Sequence, residues 1–116
     1  MRIHIKEQDV LEKEHVPVIT FFNTIQCRDF VSIVEQMSLG IGIGINVVAC
    51  CFPGDVEEEE RFCGVMFSLH DDEVIISYQN FFYYLSLACE NYLNNCSDDK
   101  NVLSKYLRAI QNKYHV

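Results

Sequence analysis

The sequence has few basic residues and no long hydrophobic run, and these two deficits exclude two classes of partner. Nine lysines and arginines stand against seventeen aspartates and glutamates, which gives a formal net charge of −8 at pH 7. A field of that sign repels phosphate groups and anionic lipid headgroups, so we expect no direct binding to nucleic acid. No stretch approaches the roughly 18 consecutive apolar residues of a membrane-spanning helix, so we expect no membrane partner either.

Sequence motifs for catalysis and for metal binding are also missing. The chain contains no HExxH, CxxC or GxSxG, and its four histidines are scattered over the termini and loops. GIGIGIN (40–46) lacks both the third glycine of a dinucleotide-binding loop and the Lys-Ser/Thr pair of a P-loop. Cys50 or Cys51, with a histidine brought close in space, is the best nucleophile, but both lie in an apolar run where a thiol is inert. We therefore expect no enzyme, no catalytic residue, no metal and no cofactor.

The six cysteines are expected to be reduced. They lie mostly within apolar runs, where a free cysteine behaves as a small hydrophobic residue, and no secretory segment precedes them. The sequence thus predicts a cytoplasmic protein without disulfides, in which the adjacent Cys50 and Cys51 point to opposite faces of a strand. The six are Cys27, Cys50, Cys51, Cys63, Cys89 and Cys96.

The first half of the chain has the apolar spacing of two helices. Residues 30–37 carry apolar side chains at i, i+3, i+4 and i+7, and Gly40 follows as a C-terminal stop. A shorter helix is expected over residues 18–25, with Pro17 in its first turn. Residues 1–15 alternate weakly, which permits an edge strand followed by a charged loop.

The second half has the spacing of two further helices. Ser77 is expected to cap a helix with a broad apolar face over residues 81–93. Ser97 or Asp98 is expected to cap a last helix over residues 103–114.

Three strands are expected between these helical pairs. GIGIGINVVACCF (40–52) is read as one strand or a loop entering it, and residues 61–69 and 73–77 follow, joined by a short turn at 70–72. Short connections favour an antiparallel meander, so the fold class is α+β, with about three strands packed against three to four helices in one domain of residues 1–116. Ten side chains should be buried: Phe30, Val34, Val48, Val65, Ile75, Phe81, Leu85, Ala88, Leu107 and Ile110.

Negative charge is concentrated in FPGDVEEEERF (52–62). The connection 53–60 is longer than the two to five residues that a hairpin needs, so it is either a solvated loop that keeps the strands soluble or a recognition element. A second cluster, residues 71–73, is either a solvated turn or a weak cation site without the spacing of a calcium loop. In a meander the two clusters lie at opposite ends of the sheet, so we do not expect both to contact the same groove.

Several short segments, in this order, resemble the ribonuclease-toxin immunity proteins of bacterial contact-dependent growth inhibition (CDI) systems. They are FFNTI (21–25), CCFPGD (50–55), GVMFS (64–68) and DDEVIIS with FFYYLSLACENY (71–92). The resemblance implies a small cytoplasmic protein that binds the C-terminal nuclease domain of a cognate toxin, one to one, and blocks its active site or RNA-binding groove. The toxin-binding hypothesis names Asp55, Glu57, Glu58, Glu59 and Glu60, with Asp71, Asp72 and Glu73 as second choice. The alternatives are an acidic binding domain for a non-nuclease protein or cationic ligand, and a cysteine enzyme.

Overall fold

Four α-helices and four β-strands, with short 3-10 turns between them, make up a computed structural model that describes residues 4–116. The helices are α1 (Val16–Thr24), α2 (Phe30–Ser38), α3 (Tyr78–Leu93) and α4 (Lys100–Tyr114). The strands are β1 (Ile43–Ile45), β2 (Val48–Cys51), β3 (Val65–Leu69) and β4 (Asp72–Ile76). They form one antiparallel sheet in the order β1-β2-β3-β4, which confirms the α+β class and the meander.

The helix boundaries follow the predicted signals in three cases and depart from them in one. Pro17 lies in the first turn of α1, and Gly40, with φ of 73°, follows the C-terminal cap of α2. The Ser77 hydroxyl accepts a hydrogen bond from the Asn80 N–H at 3.0 Å at the start of α3. The predicted cap of the last helix is wrong, because Ser97 and Asp98 lie in a separate 3-10 turn before α4.

The sheet has one strand more than expected because GIGIGINVVACCF folds back on itself. Ile45 pairs with Val48, so residues 46 and 47 form a tight hairpin turn between β1 and β2. Asn46 has φ of 55° there, a left-handed conformation that asparagine tolerates better than most residues. The second turn is His70–Asp71, one residue shorter than predicted, and Asp72 already belongs to β4.

The N-terminal segment is held by a side chain instead of by strand pairing. Asn23 Oδ1 accepts hydrogen bonds from the backbone N–H groups of His4 and Ile5, at 2.7 and 3.0 Å, and Asn23 Nδ2 donates to the Ile5 carbonyl at 3.2 Å. Residues 4–15 contain two 3-10 turns and no strand. The remainder of the edge strand expected within residues 1–15 falls on residues 1–3, outside the described residues.

One face of the sheet carries the core. α1 lies across β2, β3 and β4 on that inner face, and α2 and α3 both pack against α4. Phe67, on the central strand β3, contacts the rings of Phe21, Phe22 and Phe81. Aromatic side chains therefore join the sheet to α1 and α3.

Eight of the ten predicted core residues are buried, Leu107 is partly buried against the core, and Ile75 is wrong. Ile75 is 50% exposed, whereas the next residue, Ile76, pairs with Val65 and is buried. Because successive strand residues point to opposite faces, an error of one residue moves a side chain from the core to solvent.

The beginning of β3 requires glycine. Gly64 has φ of 120°, and a Cβ at this position would overlap the backbone carbonyl of Ile76 on β4. The absence of a side chain thus lets the two strands close together directly after the acidic loop.

Candidate functional site

The acidic loop joins β2 to β3 and contains two 3-10 turns, Pro53–Asp55 and Glu58–Glu60. Glu57–Glu60 are all exposed. Within residues 4–116 none of these four carboxylates forms an ion pair. Four negative charges are therefore available to an approaching molecule.

The carboxylate of Asp55, by contrast, accepts hydrogen bonds from the backbone, although the residue is exposed. Its Oδ2 accepts a hydrogen bond from the Phe52 N–H at 2.7 Å, and its Oδ1 accepts one from the Gly42 N–H at 3.2 Å. Gly42 permits this approach, because a Cβ there would lie 2.7 Å from Asp55 Oδ2. The carboxylate thus ties the start of the loop to the chain entering β1.

The second acidic cluster lies at the other end of the sheet. Asp71 is in the β3–β4 turn, Asp72 and Glu73 begin β4, and all three are exposed. Leu69 pairs with Asp72 at this end, whereas Val65 pairs with Ile76 next to the acidic loop. The predicted separation of the two clusters to opposite ends is confirmed.

Charge is divided unequally between the sheet and the rest of the chain. Residues 41–77, which comprise the strands and their connections, contain eight acidic residues and one basic residue, Arg61. This segment therefore carries −7 of the net −8, and the remaining residues are close to neutral. Periodicity does not reveal this division; a count of charges along the segments could have done so.

The surroundings of Cys50 and Cys51, the candidate nucleophiles, favour the protonated thiol. Burial raises the pKa of Cys50 well above its usual range, and the neighbouring Cys51 and Asp55 add to the rise. The pKa of Cys51 is also raised, first by burial and then by the Asp55 carboxylate, which favours the protonated thiol over the nucleophilic thiolate. The two point to opposite faces of β2, as predicted, Cys50 inward and Cys51 outward. The expectation of core cysteines holds for Cys50 and Cys89 only, since Cys63 is exposed and the other three are partly exposed.

The histidines have structural surroundings. His15 Nδ1 lies 2.7 Å from the Tyr84 hydroxyl, and its Nε2 lies 3.3 Å from a Glu12 carboxylate oxygen. His4 is buried with its ring 4.8 Å from that of Phe30. Among the described residues, no group of three or more histidine, cysteine, aspartate or glutamate side chains is arranged to hold a metal ion.

A comparison with protein families agrees with the CDI immunity part of the resemblance and leaves the ribonuclease target untested. No helix within residues 4–116 is long and apolar enough to cross a membrane. A search of curated proteins found no match to the chain. A family model described as CDI immunity protein matches residues 7–107, which is most of the chain. The chain therefore belongs to the CDI immunity protein family.

Proposed function

We propose that this chain neutralises the C-terminal ribonuclease domain of its cognate CDI toxin in a one-to-one complex that covers the toxin's active site or RNA-binding groove. Members of the family act against a CDI toxin; the proposal adds the nuclease target and the mode of inhibition. The observation that carries it is the concentration of −7 of the net charge in residues 41–77, with Glu57–Glu60 exposed.

A ribonuclease needs a cationic groove to bind RNA, and closely spaced carboxylates can occupy such a groove in place of phosphates. Complementary charge steers the encounter and accelerates association by about 10-fold to 1,000-fold at low salt. In this arrangement Glu57–Glu60 contact the basic groove. Asp55 contributes to recognition by holding the loop in place, since its two oxygens already accept backbone hydrogen bonds.

The test is co-purification with the toxin's C-terminal domain, followed by an RNase assay and by association rates at increasing salt. The variant in which Glu57, Glu58, Glu59 and Glu60 are all changed to Gln should associate about tenfold more slowly at low ionic strength. Its rate should approach that of the unmodified protein near 1 M salt, where the screening length falls to about 3 Å. Its unfolding free energy should change by less than about 0.5 kcal/mol, because the four side chains are exposed.

A matched control changes the same net charge elsewhere. Glu7, Glu14, Glu90 and Asp98 are also exposed and lie outside residues 41–77, so replacing the three glutamates with Gln and Asp98 with Asn should alter the association rate much less. Equal slowing by the two variants would reduce the acidic loop to a source of net charge. Continued RNA cleavage by the toxin domain in the presence of excess immunity protein would overturn the proposal.

A further inference from the structure

The outer face of the sheet is not part of the core. Pairing places Gly44, Ala49, Ser68 and Glu73 in one row across the four strands. The members of a second row, Cys51, Met66 and Ile75, lie side by side on the same face. Cys51, Met66 and Ile75 are not among the side chains that pack against the core of residues 4–116.

This outer face carries small side chains and is partly apolar. A Cβ on Gly44 would meet no atom within 4 Å, and its neighbours Ala49 and Ser68 are small. Ile75 is half-exposed beside Met66. A surface of this kind, with small residues beside exposed apolar ones, permits close approach of another molecule.

The charges around the outer face are acidic. At one end of the face, Asp55 lies against Gly42, and its negative charge raises the pKa of the Cys51 thiol. The charge of Glu73, in the first row, also raises the pKa of Cys51. A second copy of this chain would bring like charges together, since residues 41–77 carry −7 in each copy. The charge favours a protein with a basic surface as the occupant.

The dimensions allow one partner to reach both acidic clusters. Three strand spacings of about 4.8 Å and five residues of about 3.3 Å give a face of about 14 by 17 Å, or roughly 240 Å². A standard interface covers about 800 Å² per partner, which corresponds to a disc about 32 Å across. The face is thus the size of an interface centre. A partner of standard interface width, although not a single groove on it, would extend past the face toward the acidic loop at one end and Asp71 at the other.

We infer that the outer face of the sheet is the centre of the toxin-binding surface, with the two acidic clusters on opposite sides of it. The inference rests on the proposed function for the identity of the occupant, a toxin domain with a basic surface. It assigns the apolar contact to Cys51, Met66 and Ile75, and the steering to the carboxylates. Exposed acids then act mainly on association, and the central apolar contact acts mainly on dissociation.

A groove beside α1 is a second exposed apolar surface. It is lined by Val16 and Ile19, but the charges along it, Lys6, Glu7, Glu12 and Lys13, balance one another. It therefore has no charge preference for a basic partner.

The test adds bulk without charge at the centre of the face. Ser68 lies on the central strand β3 in the outer row, and tyrosine is well tolerated in strands. Ser68→Tyr should weaken binding to the toxin's C-terminal domain at least tenfold, mostly through faster dissociation. Ser104→Tyr makes the same replacement at an exposed position on α4 and should bind within twofold of the unmodified protein.

Cysteine protection supplies a second readout in the unmodified chain. Cys51 lies on the outer face, whereas Cys96 lies between α3 and α4, and both are partly exposed. Alkylation of Cys51 should slow at least fivefold on adding the toxin domain, while that of Cys96 should not change.

The outcomes separate the inference from the proposed function. If folded Ser68→Tyr binds as tightly as Ser104→Tyr, or if Cys51 is not protected, the inference is overturned while inhibition of the ribonuclease can still hold. If both readouts agree with the inference but the toxin domain, assayed without the immunity protein, cleaves no RNA, the proposal of a nuclease target is overturned and the inferred docking surface stands. If the unmodified chain does not bind the toxin domain, both fall.

Discussion

Substitution of Asp55 tests whether this residue stabilises the acidic loop, whereas Glu57–Glu60 are proposed to bind the toxin. Its carboxylate accepts hydrogen bonds from the Phe52 and Gly42 N–H groups. The bond from the Phe52 N–H is partly buried and contributes about 1 kcal/mol, whereas the bond from the Gly42 N–H is exposed and contributes less, because water can replace its acceptor. Asp55→Ala should therefore lower the free energy of unfolding by about 1 to 2 kcal/mol, and Asp55→Asn, which keeps one acceptor, by about half as much.

The assay is urea unfolding, with the slope as a check that the transition stays two-state. Glu58→Ala is the control, because Glu58 is exposed, and it should change stability by less than about 0.5 kcal/mol. A double-mutant cycle adds Gly42→Ala, which places a Cβ against Asp55 Oδ2 and should cost at least about 1 kcal/mol less in the Asp55→Ala background. An Asp55→Ala loss below about 0.5 kcal/mol, or strictly additive effects of Gly42→Ala and Asp55→Ala, would refute the assigned role.

Three further predictions concern the core and the thiols. Leu85→Ala should cost about 2 to 5 kcal/mol in urea unfolding because Leu85 is fully buried, and a loss under about 0.5 kcal/mol would contradict the packing of α3. Thiol titration of freshly prepared protein should count six free thiols after denaturation without reductant; in the native state Cys63 should react first and Cys50 and Cys89 last, and fewer than six would mean a disulfide. Burial raises the pKa of Cys89 from 9.0 to about 12, so over that range the unfolded chain loses the thiol proton more readily than the folded chain does. The contribution of the protonated thiol to the free energy of unfolding is therefore complete below about pH 9 and is lost as the pH rises through about 12. Between about pH 8 and pH 10.5 the stability difference between unmodified protein and Cys89→Ala should shrink by roughly 2 kcal/mol, and a constant difference would contradict the raised pKa.

The helices could be predicted because their apolar spacing is regular over many residues. Residues 30–37 and 81–93 each contain enough apolar positions to define a face, and the predicted Ser77 cap agrees with the structure. Long periodic segments tolerate an error at one position, which is why eight of the ten core residues were predicted correctly.

The errors fall where the pattern is short or uniform. Val74, Ile75 and Ile76 are all apolar, so only pairing with β3 decides which of them face inward. The hairpin at Asn46 was missed because Gly and Ile alternate through β1 and the turn has no Asn-Gly pair. The candidate site could be predicted only as a run of charge. The hydrogen bonds of Asp55 to Phe52 and Gly42, and the contribution of the outer face, depend on neighbours that no local pattern reveals.

Substitutions on the two faces of the sheet have different consequences, because one face holds the core and the other does not. Along β2 and β3 every second side chain enters the core, and the residues between them face away from it. If the outer face binds the toxin as inferred, a substitution at Ala49, Met66 or Ser68 can alter the binding preference while Val48, Val65 and Phe67 continue to hold the helices in place. Lineages can therefore exchange one binding preference for another by single steps, each of which leaves the molecule folded.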